Sequence, residues 1–204
     1  MEEQKQKLFD TLSKDIKDKR VLDIMMEIPR ERFVPDNFKE YAYLNAPLDI
    51  GYGQTISQPY IVALMCELLD LKDTDRVLDI GTGSGYLAAI LSRLCKEVVS
   101  MEIVPELVER STLLFKDLGY TNIKVVEGNG KEGCSEYAPF NKIVCSASTA
   151  GVPKIWRDEL RDDGIVVFPL KVTREDDVLV RGTKTGEGFL LEYITAVRFV
   201  PLVD

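Results

Sequence analysis

Apolar positions along this chain change their spacing twice, and each change predicts a different kind of element. Leu8, Leu12 and Ile16, then Leu22, Met25 and Met26, recur at helical intervals across residues 3–28 until Pro29 closes the segment, which predicts an N-terminal helical cap. The basic cluster from Lys14 to Arg20, interleaved with Asp15 and Asp18, reads as a solvated face of that helical region. Residues 30–35, Arg-Glu-Arg-Phe-Val-Pro, then lead through an aromatic-bearing stretch, Phe38 to Leu44, into a loop with Pro47, Gly51 and Gly53. A helix from Gln58 to Leu69 is expected next.

From Arg76 the spacing alternates between strand and helix. The pattern predicts strands at 76–80, 97–102, 123–127, 142–146 and 164–170, with helices at 84–95, 105–118 and 153–161 between them. Such alternation predicts an α/β fold with a parallel sheet covered on both faces. Residues 177–184 and 188–200 are alternating or β-branched runs joined by Thr185-Gly186-Glu187-Gly188, so an antiparallel hairpin is expected to finish the sheet. The reading is a single domain over 1–204, with a cap and loop over 1–57 and a core over 58–204.

Composition narrows the chemistry. A chain of 204 residues with 45% hydrophobic and 29% charged positions fits one globular domain. It has no histidine, which excludes a Ser-His-Asp triad, a histidine base and a histidine metal site, and no metal is expected. Cys66, Cys95, Cys134 and Cys145 are widely spaced, mostly within apolar runs, and read as reduced core residues. A formal charge of −8 disfavours nucleic acid as a partner. No apolar run reaches the roughly 20 residues of a membrane helix and no secretory signal is visible, so a cytoplasmic protein is expected.

Two glycine-rich segments carry the candidate chemistry. After the strand Arg76 to Ile80, Gly81, Gly83 and Gly85 permit a tight turn and close ligand approach, with helix amides aimed at the same place. Glu102, closing the next strand, is placed to bind ribose hydroxyls. Tyr86 stands where a dinucleotide fingerprint would need its third glycine. Asp79 ahead of the turn would repel a pyrophosphate and attract a cationic ligand. Gly128-Asn129-Gly130 follows the strand 123–127 at the carboxyl edge of the sheet. Upstream, Ser57-Gln58-Pro59 is on its own terms a good helix start, with serine as N-cap.

The run Gly51-Tyr-Gly-Gln54-Thr55-Ile56-Ser57-Gln58-Pro59, together with Val77 to Ala89, resembles the protein-L-isoaspartate O-methyltransferase family. The likeness extends to Ile28 to Pro35, Glu136 to Phe140 and Arg198 to Leu202. It implies a Rossmann-like class I methyltransferase fold with a seven-stranded, mostly parallel sheet. It further implies that S-adenosyl-L-methionine binds at Asp79, Gly81, Thr82, Gly83, Gly85, Glu102, Ile103, Gly128, Asn129 and Gly130, leaving S-adenosyl-L-homocysteine as product. The family's catalytic serine falls on Ser57, with Gln54, Thr55 and Ile56 around the acceptor and Val197 to Val200 supplying backbone beside it. The implied reaction is methylation of the α-carboxyl of L-isoaspartyl residues, with D-aspartyl as a further acceptor, in damaged proteins. The ester then cyclises to a succinimide that hydrolyses partly to aspartate.

The chemistry suits the composition. A carboxylate of pKa about 4 is already ionised at neutral pH and needs no base, whereas an amine or hydroxyl acceptor would need one. Asn129 stands where the family usually has an aspartate that accepts from the adenine amino group; it keeps a carbonyl acceptor and loses the charge. Asn141 likewise replaces an aspartate and is read as structural, and Ser146-Ala-Ser-Thr-Ala150 replaces a more alanine-rich turn with a proline. The alternatives are a methyltransferase of this fold with another acceptor, RNA or a small molecule, and a damage-binding relative without turnover. A monomer is expected.

Overall fold

The computed structural model describes all residues except Glu175, Glu187 and Asp204. The N-terminal cap is two helices, α1 (Glu2–Leu12) and α2 (Lys19–Glu27), where one helical region was expected. Asp18 stops continuation: its extended backbone and its side chain, accepting from Arg20 N, make it the N-cap of α2. Of the basic cluster only Lys19 and Arg20 are helical, so Lys14 to Asp18 form a connection rather than a helix face. That connection docks on the later helix over Pro59–Leu68, because Glu67 accepts from the amides of Lys17 and Asp18 at 2.5 and 2.7 Å.

Two 3-10 turns, Arg30–Phe33 and Asp36–Tyr41, lead to a small hairpin of β1 (Leu48–Gly51) and β2 (Gln54–Ile56), where sequence alone gave a loop. Its tip, Tyr52-Gly53, has both residues at positive φ, 58° and 70°. Then α3 (Pro59–Leu68) enters the large sheet layer.

That layer contains β3 (Arg76–Ile80), α4 (Tyr86–Ser92), β4 (Glu97–Glu102), α5 (Pro105–Asp117), β5 (Ile123–Glu127), β6 (Phe140–Cys145), α6 (Lys154–Glu159), β7 (Leu160–Lys171), β8 (Asp177–Thr185) and β9 (Gly188–Val197). Strands lie in the order β5-β4-β3-β6-β7-β8-β9, and β5 to β7 are parallel. The terminal hairpin is present, with β8 antiparallel to both neighbours; Glu187, in its turn, lies outside the described residues.

Each face of the sheet has its own core. Val77 joins α3, α4 and the cap, including Leu12 and Met25, on one side; Leu78 and Ile80 join Phe140, Trp156 and Phe168 on the other. Strands covered on both faces are mostly apolar, as Val77, Leu78 and Ile80 in β3 and Ile143, Val144 and Cys145 in β6 show. The four cysteines are free and buried, in agreement with the core reading.

Two reversals, into β8 and out of it, return β9 to the direction of β7. The chain therefore leaves β9 at the carboxyl edge of the parallel strands, where open α/β sheets hold ligands. There residues 198–202 form a strap: Ser148 N donates to Val200 O and Leu202 N to Ser148 O, both at 2.8 Å, and Phe199 N donates to Asp177 Oδ2 at 3.0 Å.

Candidate active site

A cleft of about 670 Å³ opens at this carboxyl edge, between the β1–β2 hairpin, the turn after β3, the ends of β4 and β5, and the strap. Of the residues anticipated from sequence, Gln54, Thr55, Ser57, Gly81, Gly83, Glu102, Ile103, Gly128, Gly130, Val197 and Val200 line it together. Segments more than a hundred positions apart thus meet in one cavity. Its walls are largely apolar, with Ile61, Ile80, Met101 and Leu202 contributing, which favours water exclusion.

The turn after β3 needs its glycines. Gly81, Gly83 and Gly85 all have positive φ, at 93°, 52° and 86°. Gly81 N and Thr82 N donate to Met101 O, at 2.8 and 3.1 Å, so the turn is fastened to the end of β4. Glu102, buried at 6% exposure, accepts from Gly83 N at 2.8 Å through one oxygen and from Ile103 N and Val104 N at 2.9 and 3.0 Å through the other. A carboxylate offers about four acceptor positions, so capacity is left for a ligand hydroxyl in the cleft it faces.

Five of the anticipated contacts, Ile56, Asp79, Thr82, Gly85 and Asn129, do not line this cleft. Asp79 is fully buried and does not line the cleft: strand alternation turns it to the face opposite Ile80, where it accepts from Ser100 Oγ at 2.7 Å. Burial pushes its carboxyl up to about 7, against the opposing Ser100 hydrogen bond and with the help of Glu102. Ser100 Oγ also pairs with Thr82 Oγ1 at 2.7 Å, so Asp79 and Thr82 brace the turn from beneath. Ile56 and Thr82, with Ser57, line a smaller adjoining cavity. Gly85 begins α4 with the Phe115 ring so near that a Cβ would sit 2.7 Å from it; it serves packing.

Asn129 lies between two lining glycines, and its side-chain oxygen accepts from Lys131 N at 2.9 Å, capping a 3-10 turn. The neighbouring Gly130 is tightly constrained: a Cβ there would lie 2.3 Å from Ile80 Cγ2, and its carbonyl accepts from Trp156 Nε1 at 2.6 Å. Sequence reading gave Trp156 no role, since a lone tryptophan in a helix carries no signal of its partner.

Ser57 precedes α3, whose N-cap is Gln58 with Pro59 first in the helix. The serine is therefore not the cap, and its hydroxyl has no hydrogen-bond partner among the described residues. Asn45 supplies the capping bond instead, accepting from Tyr60 N at 3.0 Å. Ser146 and Ala147, after β6, complete the wall, while Asn141 accepts from Arg76 N at 2.9 Å and is structural as expected.

The glycine cradle, the residual acceptor capacity of Glu102 and the apolar walls fit an adenosyl ligand with a polar tail. Known proteins agree. The family model described as protein-L-isoaspartate(D-aspartate) O-methyltransferase matches residues 3–204. A protein-L-isoaspartate O-methyltransferase of Roseiflexus sp. is 46% identical over 192 residues, covering 94% of this chain and 88% of the relative. One from Dictyoglomus thermophilum is 43% identical over 202 residues, covering 98% and 91%. A solved protein-L-isoaspartate O-methyltransferase superposes with a TM-score of 0.89 at 31% identity, over 98% of this chain and 66% of that longer one. A Plasmodium falciparum protein assigned to the same activity, solved in complex with S-adenosyl-L-homocysteine, gives a TM-score of 0.84 at 27% identity over 97% of both chains.

Proposed function

The chain belongs to the protein-L-isoaspartate(D-aspartate) O-methyltransferase family, and from that premise we propose that Ser57 holds the acceptor carboxylate while the turn after β3 holds the donor. The protein is an S-adenosylmethionine-dependent methyltransferase acting on isoaspartyl residues of proteins, the first step of their repair. The observation that carries the site assignment is convergence: Gln54, Thr55, Ser57, Val197 and Val200 face Gly81, Gly83, Glu102 and Gly128 across one cleft.

When bound, the donor supplies an electrophilic methyl carbon on a sulfonium, and its transfer to a carboxylate oxygen forms one C–O bond as one C–S bond breaks, with no proton moved. The chain's own contribution is positioning and dryness. The Ser57 hydroxyl, unengaged among the described residues, donates to one carboxylate oxygen and leaves the other free to attack. The hairpin residues Gln54 and Thr55 and the strap backbone at Val197 and Val200 fix the acceptor. Gly81 and Gly83 admit the donor, Glu102 accepts from its ribose, and Gly128 to Gly130 border its base.

Because one chain builds the whole cleft, a monomer suffices. Four buried thiols without a disulfide fit a reducing compartment, which supports action in the cytoplasm. Among the described residues no helix is long and apolar enough to cross a membrane. The net charge of −8 weighs against RNA as acceptor.

The test is incubation with labelled S-adenosylmethionine and matched isoaspartyl, aspartyl and D-aspartyl peptides, counting base-labile methyl esters. Label on the isoaspartyl peptide, lost by at least tenfold in Ser57→Ala with S-adenosyl-L-homocysteine affinity unchanged, is expected. Full activity of Ser57→Ala refutes the role given to the serine. Donor binding without label on any peptide refutes the acceptor.

A further inference from the structure

Arg30 is fully buried, yet it carries no carboxylate partner among the described residues. Its Nε donates to Ala42 O at 2.8 Å and its Nη2 to Ser57 O at 2.9 Å, while Nη1 has no hydrogen-bond partner among the described residues. The guanidinium lies over the Tyr86 ring, 4.9 Å from its centroid, and the nearby Glu31 carboxylate is engaged by the Tyr43 hydroxyl at 2.6 Å. A buried cation is normally neutralised by an acid. Here the fork grips the backbone of the residue assigned to hold an anion, and no carboxylate among the described residues pairs with it directly.

We propose that Arg30 is the residue that makes the acceptor site select for negative charge, through the peptide of Ser57 that it fixes and the cation that it buries behind it. This rests on the reading of Ser57 as the acceptor's holder. Burial lowers the Arg30 pKa to about 10, which still leaves it cationic at neutral pH. In a cleft with apolar walls such a charge acts over a longer range than in water. It attracts the isoaspartyl carboxylate and is indifferent to the neutral methyl ester, so it favours substrate entry and product departure alike. Transfer from sulfonium to carboxylate cancels both reacting charges, so the attraction weakens on the way to the transition state. Its loss therefore raises KM for the peptide by a larger factor than it lowers kcat.

The experiment measures binding of three matched peptides to the S-adenosyl-L-homocysteine complex: isoaspartyl with a free α-carboxylate, the same peptide as its α-carboxamide, and the normal aspartyl peptide. Wild type is expected to prefer carboxylate over carboxamide at least tenfold. In Arg30→Met and Arg30→Gln, which remove the charge without and with a hydrogen-bonding head, that preference falls below threefold and KM rises by a larger factor than kcat falls. Arg30→Lys, which restores a point charge, recovers most of it. A purely structural role weakens both peptides equally and keeps the ratio, which overturns the proposal. A wild-type ratio below threefold overturns it too, without recourse to any variant that fails to fold. If wild type does not distinguish isoaspartyl from aspartyl peptide, the Ser57 assignment itself has failed, a result separate from an unchanged ratio.

Discussion

Replacing Trp156 by phenylalanine tests how the donor loop is held. The indole Nε1–H gives a 2.6 Å hydrogen bond to Gly130 O, and the side chain is wholly buried. Phenylalanine keeps an apolar ring but leaves that carbonyl with only the Gly133 amide, a long contact at 3.4 Å. Leaving a buried acceptor short of its partner costs about 1–3 kcal/mol, and the Gly133 contact puts this case in the lower half. The volume lost from indole to phenyl adds about 1 kcal/mol of cavity. A destabilisation of about 2–3 kcal/mol is expected, read by urea unfolding followed in far-UV circular dichroism, since the variant lacks its only tryptophan. The loop must also be ordered to border the donor, so calorimetric titration with S-adenosyl-L-homocysteine should show affinity weakened by up to about tenfold, or 1.4 kcal/mol. A stability loss under about 0.5 kcal/mol with unchanged affinity would mean that the bond does not hold the loop.

Asn129→Asp keeps the cap on Lys131 N and adds a second acceptor oxygen, so donor affinity should rise severalfold, with a larger gain for S-adenosyl-L-homocysteine than for its deaminated inosine analogue; equal gains would refute an adenine contact. Asp79→Asn tests the buried acid. Because burial raises the Asp79 pKa to about 7, the unfolded chain releases this proton near pH 4 while the folded protein keeps it, so stability falls as pH rises between about 4 and 7. The full window is worth on the order of 4 kcal/mol, and in Asp79→Asn the difference in urea midpoint between pH 5 and pH 8 should shrink; identical slopes would show that Asp79 does not titrate there.

Sequence reading recovered the strands Arg76–Ile80, Glu97–Glu102 and Ile123–Glu127 to the residue, because each is a short run centred on adjacent apolar or β-branched residues and bounded by charged or glycine positions. It missed the β1–β2 hairpin, whose two short strands carry too few positions to show alternation among glycines. Asp79 was placed against the ligand because proximity in sequence to a turn says nothing of which sheet face a side chain takes. Ser57 looked like a cap because Ser-x-Pro is locally sufficient for one; Asn45, distant in sequence, supplies that bond instead. Arg30 and Trp156 were invisible as site residues for the same reason: each acts through a backbone carbonyl brought near only by the tertiary fold.

The double reversal through β8 and β9 also sets an order in time. The donor half of the cleft comes from one continuous stretch, the turn after β3 to Gly130, whose strands are sequential neighbours in the sheet. The acceptor half joins the β1–β2 hairpin to the strap beyond β9, and closing so large a loop is slow and entropically opposed until both partners are structured. During refolding, donor affinity should therefore return before discrimination among peptides does, so that for an interval the chain can bind its methyl source without yet distinguishing what to methylate.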